Sequence, residues 1–180
     1  MLSVAVTDLI LVRVYSLHVT IEYLADHREF IPTVAHWLHA EWGHLRPGKT
    51  VEDRAARVER ACGHCEIPTT FVALAGDQLL GSASLVEHDM TTRPELAPWL
   101  SGVFVAPENR RRGVGAALVE RVVQEARVLR TPRLYLYTPG SGALYLRLGW
   151  SIMERTFYRE LWGEQQLTIM ELATENSVDG

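Results

Sequence analysis

Residues 103–118 of the chain, VFVAPENRRRGVGAAL, combine a short apolar run, a turn and the start of a periodic segment. The run at 103–105 is apolar and favours β-structure, and the turn at 106–109 contains a proline. Beyond the turn, apolar positions recur at intervals of three and four, as on one face of a helix. These positions are Val114, Ala117, Leu118, Val122, Ala126 and Leu129. The stretch therefore predicts a strand, a turn and a helix, with Gly113 and Gly115 in the first helical turn.

This predicted helix begins without the usual acceptors for its backbone N–H groups. The first N–H groups of a helix have no partner within it, and Ser, Thr, Asp or Asn side chains normally accept from them. Residues 113–116 provide no such acceptor, and residues 110–112 are three arginines at the positive end of the helix dipole. The arrangement predicts a bound anion, with phosphate oxygens close to the glycine backbone. A surface turn with solvated arginines is the alternative.

The spacing of the glycines distinguishes among phosphate-binding loops. No Lys-Ser/Thr pair follows them, so the P-loop pattern is absent, and Leu118 stands where a dinucleotide-binding loop has its third glycine. The remaining pattern, Arg110-x-x-Gly113-x-Gly115, resembles the R/Q-x-x-G-x-G/A pyrophosphate loop of the GNAT superfamily of acetyl-CoA-dependent N-acetyltransferases. Residues 103–110 are similar to the strand and V-x-P-x-x-R segment that precede that loop in the family.

A second motif lies at residues 143–150, ALYLRLGW, which resembles the late A-x-x-F/Y-Y-x-x-L-G-F/Y signature of the same family. The resemblance implies that Tyr145 lies near the sulfur of acetyl-CoA and is the general acid toward the leaving thiolate. A phenol has an ordinary pKa of about 10 and a thiol one of about 8.5, so this proton transfer is reasonable. Core packing of Tyr145 is the alternative. Ser141 stands near the point where many relatives have Asn in contact with the cofactor.

The order of predicted elements, βααβββαβαββ, indicates an α/β (α+β) fold with helices flanking a mixed, mostly antiparallel sheet. Within it, Thr50 and Asp53 have the spacing of a capping box at the start of the second helix. The order is also that of the GNAT fold, so the resemblance covers about residues 19–172. We expect one domain at 19–173, an N-terminal extension at 1–18 and a C-terminal tail at 174–180.

Composition limits the class of protein. The chain has 180 residues with 47% hydrophobic and 22% charged residues, as in an ordinary soluble globular domain. Its net charge of −4 argues against nucleic acid as the main partner and mildly favours cationic acceptors such as polyamines, aminoglycosides or basic peptides. No apolar run is long enough to cross a bilayer, and the N-terminus lacks the positive region and cleavage site of a signal peptide. A cytoplasmic location, without a membrane partner, is the prediction.

The family resemblance also implies which residues hold acetyl-CoA, the expected co-substrate. The loop residues would bind its pyrophosphate, Val103 and Val105 would pair with its pantetheine amides, and the backbone N–H of Phe104 or Val105 would polarise the thioester carbonyl. Ser141 is a further candidate contact. The loop residues meant here are Arg110, Arg111, Arg112, Gly113, Val114, Gly115 and Ala116.

The general base is less well indicated. Glu87, His88 and Asp89 lie where the third predicted strand ends, and we select Glu87, acting through water, and His88, because histidine is a common general base. Strand alternation predicts that Glu87 and Asp89 share one side and His88 the other. A solvated polar loop is the alternative for each of them.

Other candidate features are less specific. Trp37, Trp42 and Trp162 could line an acceptor site, and the apolar N-terminal segment could form a homodimer contact. Cys62 and Cys65 form a C-x-x-C pattern at the end, rather than the start, of a predicted helix, so we do not expect redox chemistry. No set of residues has the spacing of metal ligands, so no metal is expected.

Two classes of function follow. The leading hypothesis is an N-acetyltransferase that moves an acetyl group from acetyl-CoA directly to a primary amine. The alternative is a non-catalytic acyl-CoA-binding or regulatory module on the same fold, since fold does not fix function. A more remote hypothesis is another phosphorylated ligand, such as a nucleotide, at the same loop.

Overall fold

The structure is a computed structural model that describes residues 18–157 and 166–174. Its helices and strands follow the predicted order, with short 3-10 turns between some of them. In chain order they are β1 (Thr20–Tyr23), α1 (Ile31–Trp42), α2 (Val51–Arg60), β2 (Thr69–Ala75), β3 (Gln78–Val86), β4 (Trp99–Val105), α3 (Val114–Val128), β5 (Arg133–Thr138), α4 (Ala143–Arg147), β6 (Ser151–Phe157) and β7 (Gln166–Ala173). The predicted fold class is confirmed.

The strands of the described residues form one seven-stranded sheet in the order β1-β2-β3-β4-β5-β7-β6. Neighbouring strands are antiparallel except β4 and β5, which are parallel. β4 pairs with β5 at Trp99 and Tyr135, next to a hydrogen bond from the Tyr135 N–H to the Pro98 carbonyl at 3.0 Å. Beyond this point the ladder between the two strands does not continue, so the sheet opens toward their carboxyl ends.

A β-bulge in β4 lies beside this opening. Ser84 pairs with Ser101 and Ser82 pairs with Phe104, so β4 has one more residue than β3 between these two pairs. Gly102 lies in this interval with a φ of +61°, a left-handed conformation that favours glycine. Because of this extra residue, the alternation of side chains between the two faces of the sheet shifts in the last residues of β4.

Apolar residues pack on both faces of the sheet. On one face α3 packs through Val114, Leu118 and Val122 against β2 and β3. On the other face α1 and α2 cover the sheet, and Trp37 of α1 stacks on Phe104 with ring centroids 5.1 Å apart. The opening between β4 and β5 is therefore a gap in a sheet that helices cover on both faces. The ends of neighbouring elements surround this gap.

The start of α2 follows from a local sequence signal. The Thr50 side chain accepts from the Asp53 N–H at 3.2 Å, and the Asp53 carboxylate accepts from the Thr50 N–H at 3.0 Å. This is the predicted capping box, and it fixes the first turn of α2.

Several sequence predictions fall outside the described residues: Trp162, residues 1–17 of the predicted N-terminal extension and residues 175–180 of the predicted tail. Within the described ranges, no helix has the length and apolar character needed to span a membrane.

Candidate active site

A cavity of about 350 Å³ occupies the opening between β4 and β5. Its walls come from both strands, from α1 and α2 with the segment between them, from the end of β3 and from α4. The polar and charged residues among those that line it are Glu41, Arg46, Arg54, Arg57, Thr70, Ser84, Asp89, Ser101, Tyr137, Thr138 and Tyr145. This volume is near the lower end of the range of small-molecule sites.

Tyr145 lies in the wall of this cavity, on α4. Its ring is half-buried and packs edge-to-face on Trp150, with ring centroids 6.1 Å apart. Burial raises the pKa of the Tyr145 phenol above its ordinary value of 10.0. The phenol is therefore protonated at neutral pH and can donate a proton to a group in the cavity.

Asp89 also lines the cavity, and its side chain is only 11% exposed. Burial raises the pKa of the Asp89 carboxyl, while a hydrogen bond with Ser101 and the nearby Arg57, Arg46 and Arg54 oppose that rise. A carboxylate with a raised pKa is better suited than an ordinary aspartate to accept a proton near neutral pH.

The two bases selected from the sequence lie elsewhere. Glu87 and His88 are exposed, and neither lines the cavity. The prediction that Glu87 and Asp89 share a side is wrong because β3 ends at Val86, so the alternation of a strand does not continue through these residues. The structure thus brings Asp89, and not Glu87 or His88, together with Tyr145.

Sequence reasoning missed three arginines in the cavity wall: Arg46, Arg54 and Arg57. Arg54 and Arg57 lie on α2, where Val58 is buried, and Arg46 lies between α1 and α2. Arg54 and Arg57 are three residues apart, which indicates that their side chains lie on the same side of the helix. It does not indicate that this side of α2 faces a cavity.

The arginine-rich loop forms a separate part of the site, between β4 and α3. Gly113 is the N-cap of α3 with a φ of +85°, Arg111 is also left-handed with a φ of 62°, and no side chain caps the helix. Arg110, Arg111 and Arg112 are exposed, and Arg110 Nε donates to the Val105 carbonyl at 2.9 Å. The positive end of α3 and its first N–H groups therefore lie beside three exposed guanidinium groups, an arrangement that fits a pyrophosphate.

The last residues of β4 differ in the direction of their backbone groups. The Ala106 N–H donates to the Leu80 carbonyl, and Phe104 pairs with Ser82, so the N–H of Phe104 faces β3. The Val105 carbonyl accepts from Arg110. The backbone N–H and carbonyl of Val105 are therefore directed away from β3, toward the opening. Of the two N–H groups named from the family resemblance, that of Val105 is the one directed to the opening, while Val103 lines the cavity directly.

Asn109 and Ser141 complete the loop surroundings. Asn109 is buried, and its Nδ2 finds no hydrogen-bond partner among the described residues. Buried donors of this kind normally have a partner, and Asn109 lies directly before the three arginines of the loop. Ser141 is exposed between β5 and α4, where Gly142 rather than Ser141 is the N-cap and no side chain caps the helix.

Cys62 and Cys65 follow the end of α2. Both are free thiols, and burial raises the pKa of Cys62, the opposite of an activated nucleophile. In the described part of the chain no group of three or more His, Cys, Asp or Glu residues could hold a metal ion.

In a comparison with known families, the model of the acetyltransferase (GNAT) family matches residues 31–150. No curated protein matches the sequence significantly.

Solved structures share the fold at low sequence identity. YncA of Salmonella typhimurium, solved with its cofactor acetyl-CoA, is 17% identical, with a TM-score of 0.68 over 89% of this chain and 96% of the other. An aminoglycoside 6'-N-acetyltransferase complexed with coenzyme A is 14% identical, with a TM-score of 0.70 over 89% and 99%. The spermidine N-acetyltransferase of Vibrio cholerae, with CoA and spermine, is 17% identical, with a TM-score of 0.65 over 87% and 95%.

Proposed function

The chain belongs to the GNAT acetyltransferase family and is an acyltransferase, and we propose that it moves an acetyl group from acetyl-CoA directly to a primary amine. The observation that carries this proposal is the position of Tyr145 and Asp89 in one cavity at the opening between β4 and β5. One residue can donate a proton and the other can accept one, as amine acetylation requires. The structures that share the fold include N-acetyltransferases of different acceptors, so the acceptor does not follow from the fold.

Acetyl-CoA, when bound, supplies the acetyl group as a thioester. We assign its pyrophosphate to Arg110, Arg111, Arg112 and the N–H groups of residues 113–116, on the uncapped start of α3. Val103 and Val105 are the proposed partners of the pantetheine amides, and the Val105 N–H is the proposed donor to the thioester carbonyl. Ser141, which is exposed next to α4, is a further proposed contact.

In the proposed transfer the amine nitrogen forms a bond to the carbonyl carbon and the carbon–sulfur bond breaks. The amine loses a proton, which Asp89 accepts, and the leaving thiolate gains a proton, which Tyr145 donates. We propose Asp89 in place of Glu87 and His88 because it lies in the cavity and burial raises its pKa. Half-burial of Tyr145 keeps its proton available at neutral pH.

Binding is tested with an isosteric pair of variants at Gly113. A Cβ added at this position meets no atom within 4 Å outside the neighbouring residues, and Asn and Asp tolerate the left-handed conformation better than other residues apart from glycine. Calorimetric titration of wild type should detect acetyl-CoA and CoA binding but not ATP binding. Gly113→Asp should weaken acetyl-CoA binding by at least tenfold more than Gly113→Asn, because only Asp adds a negative charge beside the pyrophosphate.

Turnover is tested with a panel of primary amines and acetyl-CoA. Acetylation of at least one amine by wild type, with loss of turnover but not of acetyl-CoA binding in Tyr145→Phe, supports the proposal. Acetyl-CoA binding without acetylation of any amine would indicate a binding module. Failure of wild type to bind acetyl-CoA, or tighter binding of ATP, would overturn the assignment of the loop.

A further inference from the structure

Three arginines line the cavity. Arg54 and Arg57 lie three residues apart on α2, and Arg46 comes from the segment before it. All three residues are partly buried. Burial lowers the pKa values of Arg54 and Arg57, and neighbouring guanidinium groups lower both values further. Arginine nevertheless stays protonated at physiological pH. The wall therefore holds three partly desolvated positive charges close together.

The carboxylates of the cavity do not balance these charges. Asp89 and Glu41 are the acidic residues in its lining, against Arg46, Arg54 and Arg57. Arg57 Nη2 lies 3.6 Å from Asp89 Oδ1. Within residues 18–157 and 166–174, neither Arg46 nor Arg54 has a carboxylate oxygen within 4.0 Å. The local excess of positive charge contrasts with the net charge of −4 of the whole chain.

This arginine cluster is distinct from the loop assigned to the pyrophosphate. None of residues 110–116 lines the cavity, whereas Arg46, Arg54 and Arg57 lie in its wall with Asp89. The loop lies at the start of α3, and the cluster is formed by α2 and the segment before it. An anion on the arginine cluster would thus occupy the cavity itself, on the side of the acceptor.

From these observations we propose that the acceptor is a small amine that also carries an anionic group, a carboxylate or phosphate, bound by Arg46, Arg54 and Arg57. This inference rests on the proposed N-acetyltransferase function and narrows its substrate class. A guanidinium presents paired N–H donors that match both anions. A cavity of about 350 Å³ suits a small molecule. The amine would then lie near Asp89, with the anion on α2. The net charge alone favoured cationic acceptors, but the charges that line the cavity favour anionic ones.

Matched pairs of amines test the substrate class. Glycine is compared with glycinamide, β-alanine with its amide, and O-phosphoethanolamine with ethanolamine, each at saturating acetyl-CoA. We expect kcat/KM to be at least tenfold higher for the anionic member of at least one pair. The amino-acid pairs and the phosphate pair distinguish a carboxylate from a phosphate. Equal or higher kcat/KM for every neutral member would overturn the inference while leaving the N-acetyltransferase function intact.

Two variants on α2 separate the arginine cluster from general effects of charge. Arg54→Gln removes a guanidinium from the cavity wall, whereas Arg60→Gln removes an exposed guanidinium of the same helix that does not line the cavity. The preference for the anionic amine should fall at least tenfold in Arg54→Gln and stay within twofold of wild type in Arg60→Gln. An equal effect of both variants would indicate long-range steering and would contradict the assignment.

Equilibrium binding gives a readout that does not depend on turnover. Titration with acetate and with inorganic phosphate, at saturating CoA so that the pyrophosphate loop is filled, measures anion binding at the cluster. Wild type and Arg60→Gln should bind one of these anions at least tenfold more tightly than Arg54→Gln. Equal binding by all three proteins would overturn the inference even where no amine is acetylated. Absence of CoA binding would instead indicate failure of the proposed function.

Discussion

Arg57 and Asp89 face each other in the cavity wall, with Nη2 and Oδ1 3.6 Å apart. This separation is longer than a hydrogen bond. The guanidinium therefore attracts the carboxylate without a direct hydrogen bond to this oxygen. Ser101 also lines the cavity, and its side chain lowers the pKa of the same carboxyl. Asp89 therefore lies at the cavity surface beside a guanidinium that does not contact it closely.

Replacement of Asp89 by Asn tests its role as proton acceptor. Burial raises the pKa of the Asp89 carboxyl, and a base is active only when deprotonated, so kcat/KM of wild type should rise as pH increases through that raised pKa. Asp89→Asn should lower kcat/KM about 100-fold or more and remove this acidic limb from the pH–rate profile. The profiles are measured with acetyl-CoA and one accepted amine.

Glu87→Gln and His88→Gln are the comparison for this experiment. Both residues are exposed and do not line the cavity, so each variant should retain the acidic limb. If Glu87→Gln or His88→Gln loses the acidic limb of the pH–rate profile and Asp89→Asn keeps it, the residue replaced in that variant is the base.

Replacement of Tyr145 by Phe removes the proposed acid while preserving the ring that packs on Trp150. We expect kcat to fall about 100-fold or more, and the dissociation constant of acetyl-CoA to change less than threefold. Tyr135→Phe is the matched control, because Tyr135 packs on Trp99 and does not line the cavity. A similar loss of kcat in both variants would show that the effect is structural.

The parts of the site that were predictable from the sequence are those encoded locally. The uncapped start of α3 and the capping box of α2 each depend on a few consecutive residues, and both are present in the structure. The separation of β4 and β5 beyond Trp99 was not predictable, because it depends on how two strands far apart in sequence meet.

The arginine cluster shows the same limit. Arg46, Arg54 and Arg57 line the same cavity as Asp89 because of the way the chain folds, and no sequence spacing relates residue 57 to residue 89. The prediction that Glu87 and Asp89 share a side fails for a local reason, because strand alternation does not continue past Val86, where β3 ends. Sequence periodicity therefore locates the loop that precedes α3 but not the charges of the cavity.

Alanine at the two glycines of the loop should affect stability differently. Gly113 has a φ of +85°, so Gly113→Ala should lower the free energy of unfolding by about 1–2 kcal/mol. At Gly115 an added Cβ would meet Val105 Cγ2 at 3.6 Å and Leu144 Cδ2 at 3.7 Å, which are ordinary contacts. Gly115→Ala should therefore leave stability unchanged or raise it by up to about 1 kcal/mol through helix propensity. Urea unfolding curves measure both, and an equal loss in the two variants would contradict the backbone argument.

Glu125 on α3 is the buried carboxylate of a second cluster, away from the cavity. Its side chain is 2% exposed and pairs with Arg121 Nη1 at 2.8 Å. The Tyr23 hydroxyl donates to both of its oxygens, at 3.0 and 2.9 Å. Burial, with hydrogen bonds to Cys65 and Glu125, raises the pKa of Tyr23 to about 12, so this hydroxyl stays a donor throughout the neutral range. The Arg121 guanidinium also lies 4.2 Å from the centroid of the Phe71 ring.

Arg121→Met should therefore lower the free energy of unfolding by about 3–5 kcal/mol, because it leaves the Glu125 carboxylate buried without its cation. The double variant Arg121→Met/Glu125→Met should recover most of that loss, since it removes the buried charge together with its partner. Arg28→Met is the control: it breaks the pair with Glu59, whose side chains are 54% and 60% exposed, and should cost at most about 1 kcal/mol. Urea unfolding at neutral pH measures all three variants. If Arg121→Met lowers the free energy of unfolding no more than Arg28→Met does, water or a rearranged side chain compensates the Glu125 charge.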